Sequence, residues 1–135
     1  MNGKPVDASP RVMLKKQIKK LKKQNLTMKS GVECEYFLIS PDGNSIADPR
    51  DTQSKPCYDQ SALMRRYDLI KEICDCMIEM GWGPYQNDHE DANGQFEMNW
   101  DYSDCLKTAD RHTFFKFMVK TIAEKHGLRA TFMPK

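Results

Sequence analysis

The sequence lacks the features that mark membrane-spanning, secreted and zinc-binding proteins. Its 135 residues contain no long apolar run, so neither a signal peptide nor a membrane span is predicted. The five cysteines are odd in number and show no C-x-x-C spacing, and no pair of histidines accompanies the neighbouring Cys74 and Cys76. The pattern therefore favours reduced thiols in a cytoplasmic protein over a disulfide framework or a zinc finger.

A strong excess of either charge is also missing. The formal net charge is only +2, so charge alone gives no reason to expect a nucleic-acid partner. Positive charge is nevertheless concentrated near the start of the chain, at Lys15, Lys16, Lys19, Lys20, Lys22 and Lys23. A helix is predicted to begin at Ser9-Pro10, after a loose lead-in over residues 1–8, and these lysines would form its solvated faces.

The rest of the chain predicts a single α+β domain. After a strand at about 31–40, we expect a helix over 60–80, strands over 82–87 and 95–100, a helix over 103–126 and a last strand over 128–133. This β-α-β-β-α-β order is typical of a ferredoxin-like arrangement, an antiparallel β-sheet backed by helices. Residues 45–59 are expected to form a surface loop. The predicted buried faces of the two helices include Tyr67, Ile78, Phe114 and Phe117.

The first strand carries an unusual pair of carboxylates. Within the segment 31–39, Glu33 and Glu35 interrupt an apolar and aromatic run. Because strand side chains alternate between the two faces, both carboxylates must lie on the same face, close together. Two like charges on a core strand raise the free energy of the fold unless a cation or a base compensates them.

A second group of acidic residues lies between positions 89 and 97. On the strand over 95–100, the apolar positions are Phe96, Met98 and Trp100, and the polar ones are Gln95, Glu97 and Asn99. If the two strands are neighbours, Glu97 joins Glu33 and Glu35, and the turn at 93–94 returns Glu90 to the same place. Four carboxylates without a cysteine or a paired histidine suit Mg²⁺ or Mn²⁺, and such a site suits phosphoryl transfer.

The same residues also fit an ordinary polar sheet surface. Glutamate is common on exposed strands, and the E-x-E spacing alone is not specific. His89, beside the acidic loop, is typical of a surface residue rather than a ligand. From residue chemistry alone, a divalent-metal site and a solvated strand face both remain open.

Several motifs together resemble the glutamine synthetase family. Gly31–Leu38 resembles the G-x-E-x-E-[FY]-F-L strand of that family, and His89–Glu97 resembles its H-E-V-A-P-G-Q-x-E segment. Further similarities follow in the family's order at Ser9-Pro10-Arg11, Ala109-Asp110, Phe115-Lys116 and Ala130–Lys135. On this resemblance, residues 9–135 are interpreted as the central part of the family's catalytic domain.

The resemblance implies an ATP-dependent ligase that joins an amine to glutamate through γ-glutamyl phosphate with two divalent metals, Mg²⁺ or Mn²⁺. Glu33 matches a ligand of the metal that serves the nucleotide phosphates, whereas Glu35, Glu90 and Glu97 match ligands of the other metal. Tyr102 falls near the stretch that holds the adenine. The implied partners are glutamate, ATP and the amine, with a homo-oligomer for the full-length enzyme and no nucleic-acid or membrane partner.

The departures from the family pattern point to one of its branches. Cys34 replaces the commoner proline between the two glutamates, and Asp91 and Asn93 stand where valine and proline are usual. These features resemble marine-type glutamine synthetases and γ-glutamylmethylamide synthetases, so the implied amine is ammonia or methylamine.

The resemblance also implies that parts of such an enzyme lie outside this chain. The small N-terminal domain, the other metal ligands and the phosphate-binding arginines of the family have no counterpart in the 135 residues, and the sequence stops directly after the last predicted strand. We therefore expect a fragment that is inactive alone. The alternative is a non-enzymatic α+β interaction module that binds through its lysine-rich helix.

Overall fold

The computed structural model describes residues 3–134, so Met1 and Asn2 of the predicted lead-in and Lys135 lie outside the described residues. The helices are α1 (Pro10–Lys22), α2 (Gln60–Met64), α3 (Tyr67–Glu79) and α4 (Cys105–Lys125). The strands are β1 (Lys29–Ser30), β2 (Glu33–Ile39), β3 (Pro84–His89), β4 (Gln95–Trp100), β5 (Ser103–Asp104) and β6 (Arg129–Thr131). Over this range, no helix has both the length and the apolar character needed to span a membrane.

The main sheet has the strand order β3-β4-β2-β6, and all of its neighbouring strands are antiparallel. Along the chain, its strands and the longer helices follow the predicted β-α-β-β-α-β order, which confirms the α+β fold. The strands β1 and β5 form a separate antiparallel pair that was not predicted. Each has only two residues, too few to show a period of hydrophobicity.

One face of the main sheet packs against α3 and α4. On β2, Cys34, Tyr36 and Leu38 are at most 2% exposed. The Cys34 Sγ lies 2.9 Å from the Nδ1 of His112 on α4. Phe115 of α4 is fully buried against Tyr36, with ring centroids 6.1 Å apart. The apolar alternation of the strands therefore does place the core between the sheet and the helices.

The helix predicted over 60–80 is interrupted at Arg65 and Arg66, which separate α2 from α3. The Arg65 guanidinium forms a salt bridge with the buried Asp48, and Arg66 donates to the carbonyl oxygen of Ala47. These contacts attach the two arginines to the preceding loop. Because they come from residues distant in sequence, the helical pattern alone did not reveal the break.

The predicted buried faces are partly wrong. Tyr67 and Ile78 are 46% and 62% exposed, and Phe114 and Phe117 of α4 are 45% and 64% exposed. The buried side chains of α3 are Leu69, Ile70, Ile73 and Met77, and Ile78 lies beyond the edge of that face. Helix α4 carries more apolar residues than one face can hold, and the structure buries Phe115 instead of its neighbours.

The lysine-rich helix α1 contacts α4 at the surface and has no buried residue of its own. It begins at Pro10 with Ser9 as the N-cap residue, as predicted, although the Ser9 hydroxyl makes no capping hydrogen bond. Arg11 of α1 forms a two-pronged ion pair with Asp110 of α4, with both N–O distances at 2.8 Å. The six clustered lysines are all exposed. The cysteines of the chain are all free thiols, as predicted.

Candidate metal centre

Three neighbouring strands align carboxylates on the sheet face that is turned away from α3 and α4. Glu35 of β2 is directly opposite Glu97 of β4, and Asp88 of β3 is opposite Glu97 from the other side. Residues that are directly opposite on antiparallel strands project from the same face. The strand register therefore produces a row of three acidic side chains across the sheet.

The loop over residues 90–94, between β3 and β4, adds Glu90 to this face. Its backbone N–H donates to the carbonyl oxygen of Gln95 at 3.0 Å, which returns the chain toward β4. One carboxylate oxygen from each of Glu35, Glu90 and Glu97 lies within 4.8 Å of the others. We refer to these three residues as the carboxylate cluster.

Two amide side chains of β4 orient the cluster. The Gln95 Nε2 donates to the Glu35 Oε2 at 2.5 Å, and the Asn99 Nδ2 donates to the Glu97 Oε1 at 2.7 Å. Glu97 itself is only 9% exposed. The polar face of β4 thus carries two amide donors, and each of them holds one carboxylate of the cluster.

The electrostatics of the cluster oppose full ionisation. Burial, followed by the charges of Glu97, Glu35 and Asp88, raises the pKa of Glu90 to about 7. Burial also raises the pKa of Glu97, and the charges of Glu33 and Glu35 add to this effect, whereas the bond from Asn99 opposes it. Negative charges in a partly buried site disfavour one another. A cation placed among them would remove that cost.

The ion pairs within residues 5–134 do not involve the cluster. No lysine, arginine or histidine in this range forms a salt bridge with Glu35, Glu90 or Glu97. Three convergent carboxylates that repel one another match the oxygen donors that Mg²⁺ and Mn²⁺ prefer. The residues present therefore fit a divalent cation.

Glu33 occupies a different part of the same face. It pairs with Asn99 across the sheet and is not part of the carboxylate cluster. It lines an open hollow of about 430 Å³ together with Tyr102, which is 71% exposed. The other lining residues are Gly31, Val32, Tyr85, Trp100 and Asp101. The structure thus places Glu33 and Tyr102 beside one hollow, whereas the three other candidate ligands form the carboxylate cluster.

Three polar residues near the carboxylate cluster lie where the sequence did not predict them. Asp88 is one residue beyond the predicted strand, which ended at 87, and in the structure it is opposite Glu97. His89 was expected at the surface but is fully buried, with its Nε2 2.8 Å from the Asp51 Oδ2. Asp51 lies in the predicted surface loop, yet only 2% of it is exposed. No sequence pattern distinguished it from its polar neighbours.

Comparison with known proteins gives a consistent result. The model of the glutamine synthetase catalytic domain matches residues 7–135. A glutamine synthetase of Rhizobium meliloti (strain 1021) is 68% identical over 135 residues, covering 100% of this chain and 31% of that protein. A glutamate–methylamine ligase of Methyloversatilis universalis is 42% identical over 136 residues, covering 99% of this chain and 31% of that protein.

A solved structure agrees with the relatives. A GmaS–ADP complex aligns with a TM-score of 0.96 at 67% identity and covers 100% of this chain and 31% of that one. The fold and the site define an α+β domain with an oxygen-rich acidic sheet face. The chain belongs to the glutamine synthetase family of ligases, within its catalytic domain. It spans about a third of the length of the relatives it matches.

Proposed function

We propose that the chain is the carboxylate-bearing part of an ATP-dependent ligase that joins ammonia or methylamine to glutamate. The observation that carries this proposal is the carboxylate cluster, in which three side chains offer oxygens within 4.8 Å of one another. Its members come from the two segments that resemble the family motifs. Membership of the ligase family favours this function over the interaction module. The ligase hypothesis also explains why carboxylates gather on one face of the sheet.

The carboxylate cluster holds Mg²⁺ or Mn²⁺ in this proposal. When bound, such an ion would help to organise glutamate and the site of the ammonium ion by neutralising negative charge there. The amides of Gln95 and Asn99 orient Glu35 and Glu97, which with Glu90 would hold the ion. Glu90 completes the set from the loop. Partial burial of Glu97 limits the access of water to this side of the site.

We assign the hollow beside Glu33 to the nucleotide. Glu33, which lines the hollow, would contribute a carboxylate ligand to a second metal that serves the nucleotide phosphates. The exposed ring of Tyr102 offers a flat surface on which an adenine base can stack. The volume of about 430 Å³ is in the range expected for a ligand pocket.

We propose ammonia or methylamine as the nitrogen donor, because two proteins that are almost equally similar to this chain have different names. The relative at 68% identity is a glutamine synthetase, whereas the solved structure at 67% identity is a GmaS. Methylammonium and ammonium carry the same charge, so the acidic face attracts either of them. We also propose that the full-length enzyme is a homo-oligomer in the cytoplasm.

A chimeric enzyme tests the function. The equivalent segment of the Rhizobium meliloti glutamine synthetase is replaced by this chain, which aligns with it over its full length. We expect ATP-dependent γ-glutamyl transfer to ammonia or methylamine, measured as phosphate release with each amine. In the chimera, Glu97→Gln should lower kcat by about a hundredfold, because one charged ligand is lost.

The control is Glu124→Gln, an exposed position on α4 in the helical layer. It should leave kcat unchanged. A chimera that keeps full activity with Glu97→Gln would show that the carboxylate cluster is not the metal centre. A folded chimera that is inactive with both amines, and whose parent is active, would contradict the proposed reaction.

A further inference from the structure

A buried carboxylate outside the cluster connects both ends of the loop that carries Glu90. Asp51 lies in the connection between β2 and α2 and is 2% exposed. Its Oδ2 accepts a hydrogen bond from the Nε2 of His89 at 2.8 Å and from the backbone N–H of Gly94 at 2.6 Å. His89 is the last residue of β3, and Gly94 directly precedes β4. One oxygen atom thus spans the two ends of the loop over 90–94.

The His89 side of this connection is fixed by burial and by a second bond. Because an ionised carboxylate only accepts hydrogen bonds, the Nε2 of His89 must carry the proton that is shared with Asp51. The imidazole is fully buried and packs edge-on against Phe96 at 5.7 Å. The His89 carbonyl oxygen accepts from the backbone N–H of Tyr58 at 2.7 Å. The residue before Glu90 therefore has little freedom to move.

The Gly94 side fits equally closely. Gly94 has φ of +76°, and a Cβ at this position would lie 2.8 Å from side-chain atoms of Ile46. The Asn93 side chain next to it donates to the carbonyl oxygen of Gln53 at 3.0 Å. Both ends of the loop are thus held against the same connection, with Asp51 as the residue that contacts both.

We infer that Asp51 is a positioning residue that holds Glu90 within reach of Glu35 and Glu97 before the metal binds. Without a cation, the charges of these two carboxylates repel Glu90, so a free loop would move it away from the cluster. The bonds from Asp51 to His89 and Gly94 prevent that movement. This inference rests on the proposed function, because it gives Glu90 the role of a metal ligand.

The test compares Asp51→Leu with Asp51→Asn in the metal-free chain and in Mn²⁺ titrations. Leucine is close to aspartate in shape but accepts no hydrogen bond, whereas the asparagine carbonyl oxygen can still accept from Gly94 and His89. We expect Asp51→Leu to speed amide exchange at Gly94 at least tenfold and to weaken Mn²⁺ binding by about tenfold. Asp51→Asn should stay within about threefold of the parent in both measurements.

Asp48→Leu is the matched control, since Asp48 is a 5% exposed carboxylate of the same connection that bonds to Arg65 and Arg50 instead. It should lower the melting temperature but leave Gly94 exchange and Mn²⁺ affinity as they are. If Asp51→Leu does not fold, Asp51→Ala replaces it. Glu90→Gln, titrated in parallel, should also weaken Mn²⁺ binding.

The outcomes separate the inference from the proposed function. Unchanged Gly94 exchange in Asp51→Leu overturns the inference, and so does faster exchange with unchanged Mn²⁺ affinity. An equal loss of affinity in Asp48→Leu also overturns it, because the effect would then be general destabilisation. If Glu90→Gln binds Mn²⁺ as tightly as the parent, the metal site of the proposed function fails and the inference fails with it.

Discussion

The two faces of the main sheet are formed by the same strands but carry different side chains. On β2, Cys34, Tyr36 and Leu38 face the helices and are almost completely buried. Glu33 and Glu35, which alternate with them, face the other way and are exposed. On β4 the two faces differ in polarity rather than in exposure, because Gln95, Glu97 and Asn99 are buried as well. A shift of one residue in the register of either strand would exchange the two sets.

The difference between the faces is one of free energy. Each large apolar side chain buried on the helix face contributes about 1.5–3 kcal/mol to folding. The opposite face gathers carboxylates whose burial and mutual repulsion oppose folding in the absence of a cation. Burial on the helix face therefore provides free energy of folding that offsets the cost of the acidic face. Three substitutions perturb the two faces separately.

The largest effect is expected on the helix face, for Phe115→Ala. Phe115 is fully buried and its ring lies 5.1 Å from that of Trp100 and 6.1 Å from those of Tyr36 and Phe132. Removing the ring leaves a cavity, so we expect the free energy of unfolding to fall by about 3–5 kcal/mol. Urea denaturation followed by circular dichroism measures this loss.

Phe117→Ala is the control for Phe115→Ala, because Phe117 is on the same helix but is 64% exposed. It should change the free energy of unfolding by no more than about 0.5 kcal/mol. Equal losses for the two variants would mean that the exposed side of α4 contributes to stability as much as the buried side does. The assignment of the stabilising core to the space between the sheet and α4 would then be wrong.

A smaller effect is expected at the edge of the carboxylate face, for Gly94→Ala. The positive φ costs an alanine about 1–2 kcal/mol, and the contact with Ile46 adds about 1–3 kcal/mol of overpacking. Gly127→Ala isolates the first term, since Gly127 has φ of +69° with no atom within 4 Å of the added Cβ. In thermal melts, the melting temperature of Gly94→Ala should be clearly lower than that of Gly127→Ala. Equal melting temperatures would exclude a cost from the contact with Ile46.

The strands of this comparison could be predicted because their signal is local. Alternation of apolar and polar residues gave β4 its observed bounds, 95–100, and placed Glu33 and Glu35 on one face. Taking the strands as neighbours predicted that Glu33, Glu35, Glu90 and Glu97 converge; the structure brings Glu35, Glu90 and Glu97 together but leaves Glu33 outside the carboxylate cluster. The metal roles of these residues remain predictions that rest on the family resemblance.

Features fixed by distant contacts could not be predicted in the same way. The break between α2 and α3 depends on the contact of Arg65 with Asp48, 17 residues away. Asp51 is buried because it meets His89 and Gly94, 38 and 43 residues further along the chain. A buried polar residue in a loop without periodicity has no local signal, so its importance emerges only from the tertiary structure.

The smallest effect is expected for Glu90→Gln, and it depends on pH. The pKa of Glu90 is raised from 4.5 to about 7, so between these values the folded chain binds a proton that the unfolded chain has released. The free energy of unfolding therefore falls as the pH rises through this interval. Glutamine removes the ionisation, so the metal-free variant should be more stable than the parent by about 1 kcal/mol above pH 7, after allowance for solvent screening. At about pH 4.5 the gain should disappear.

The measurement is the difference in melting temperature between Glu90→Gln and the parent, recorded with a chelator across this pH range. Groups that titrate alike in both proteins cancel in that difference, and Glu124→Gln on α4 should show no such trend. Excess Mn²⁺ should reverse the sign, because the parent then gains binding free energy that the variant lacks. A difference that is independent of pH would show that Glu90 does not carry the strain of the acidic face, and that its repulsion by Glu35 and Glu97 is relieved within the chain.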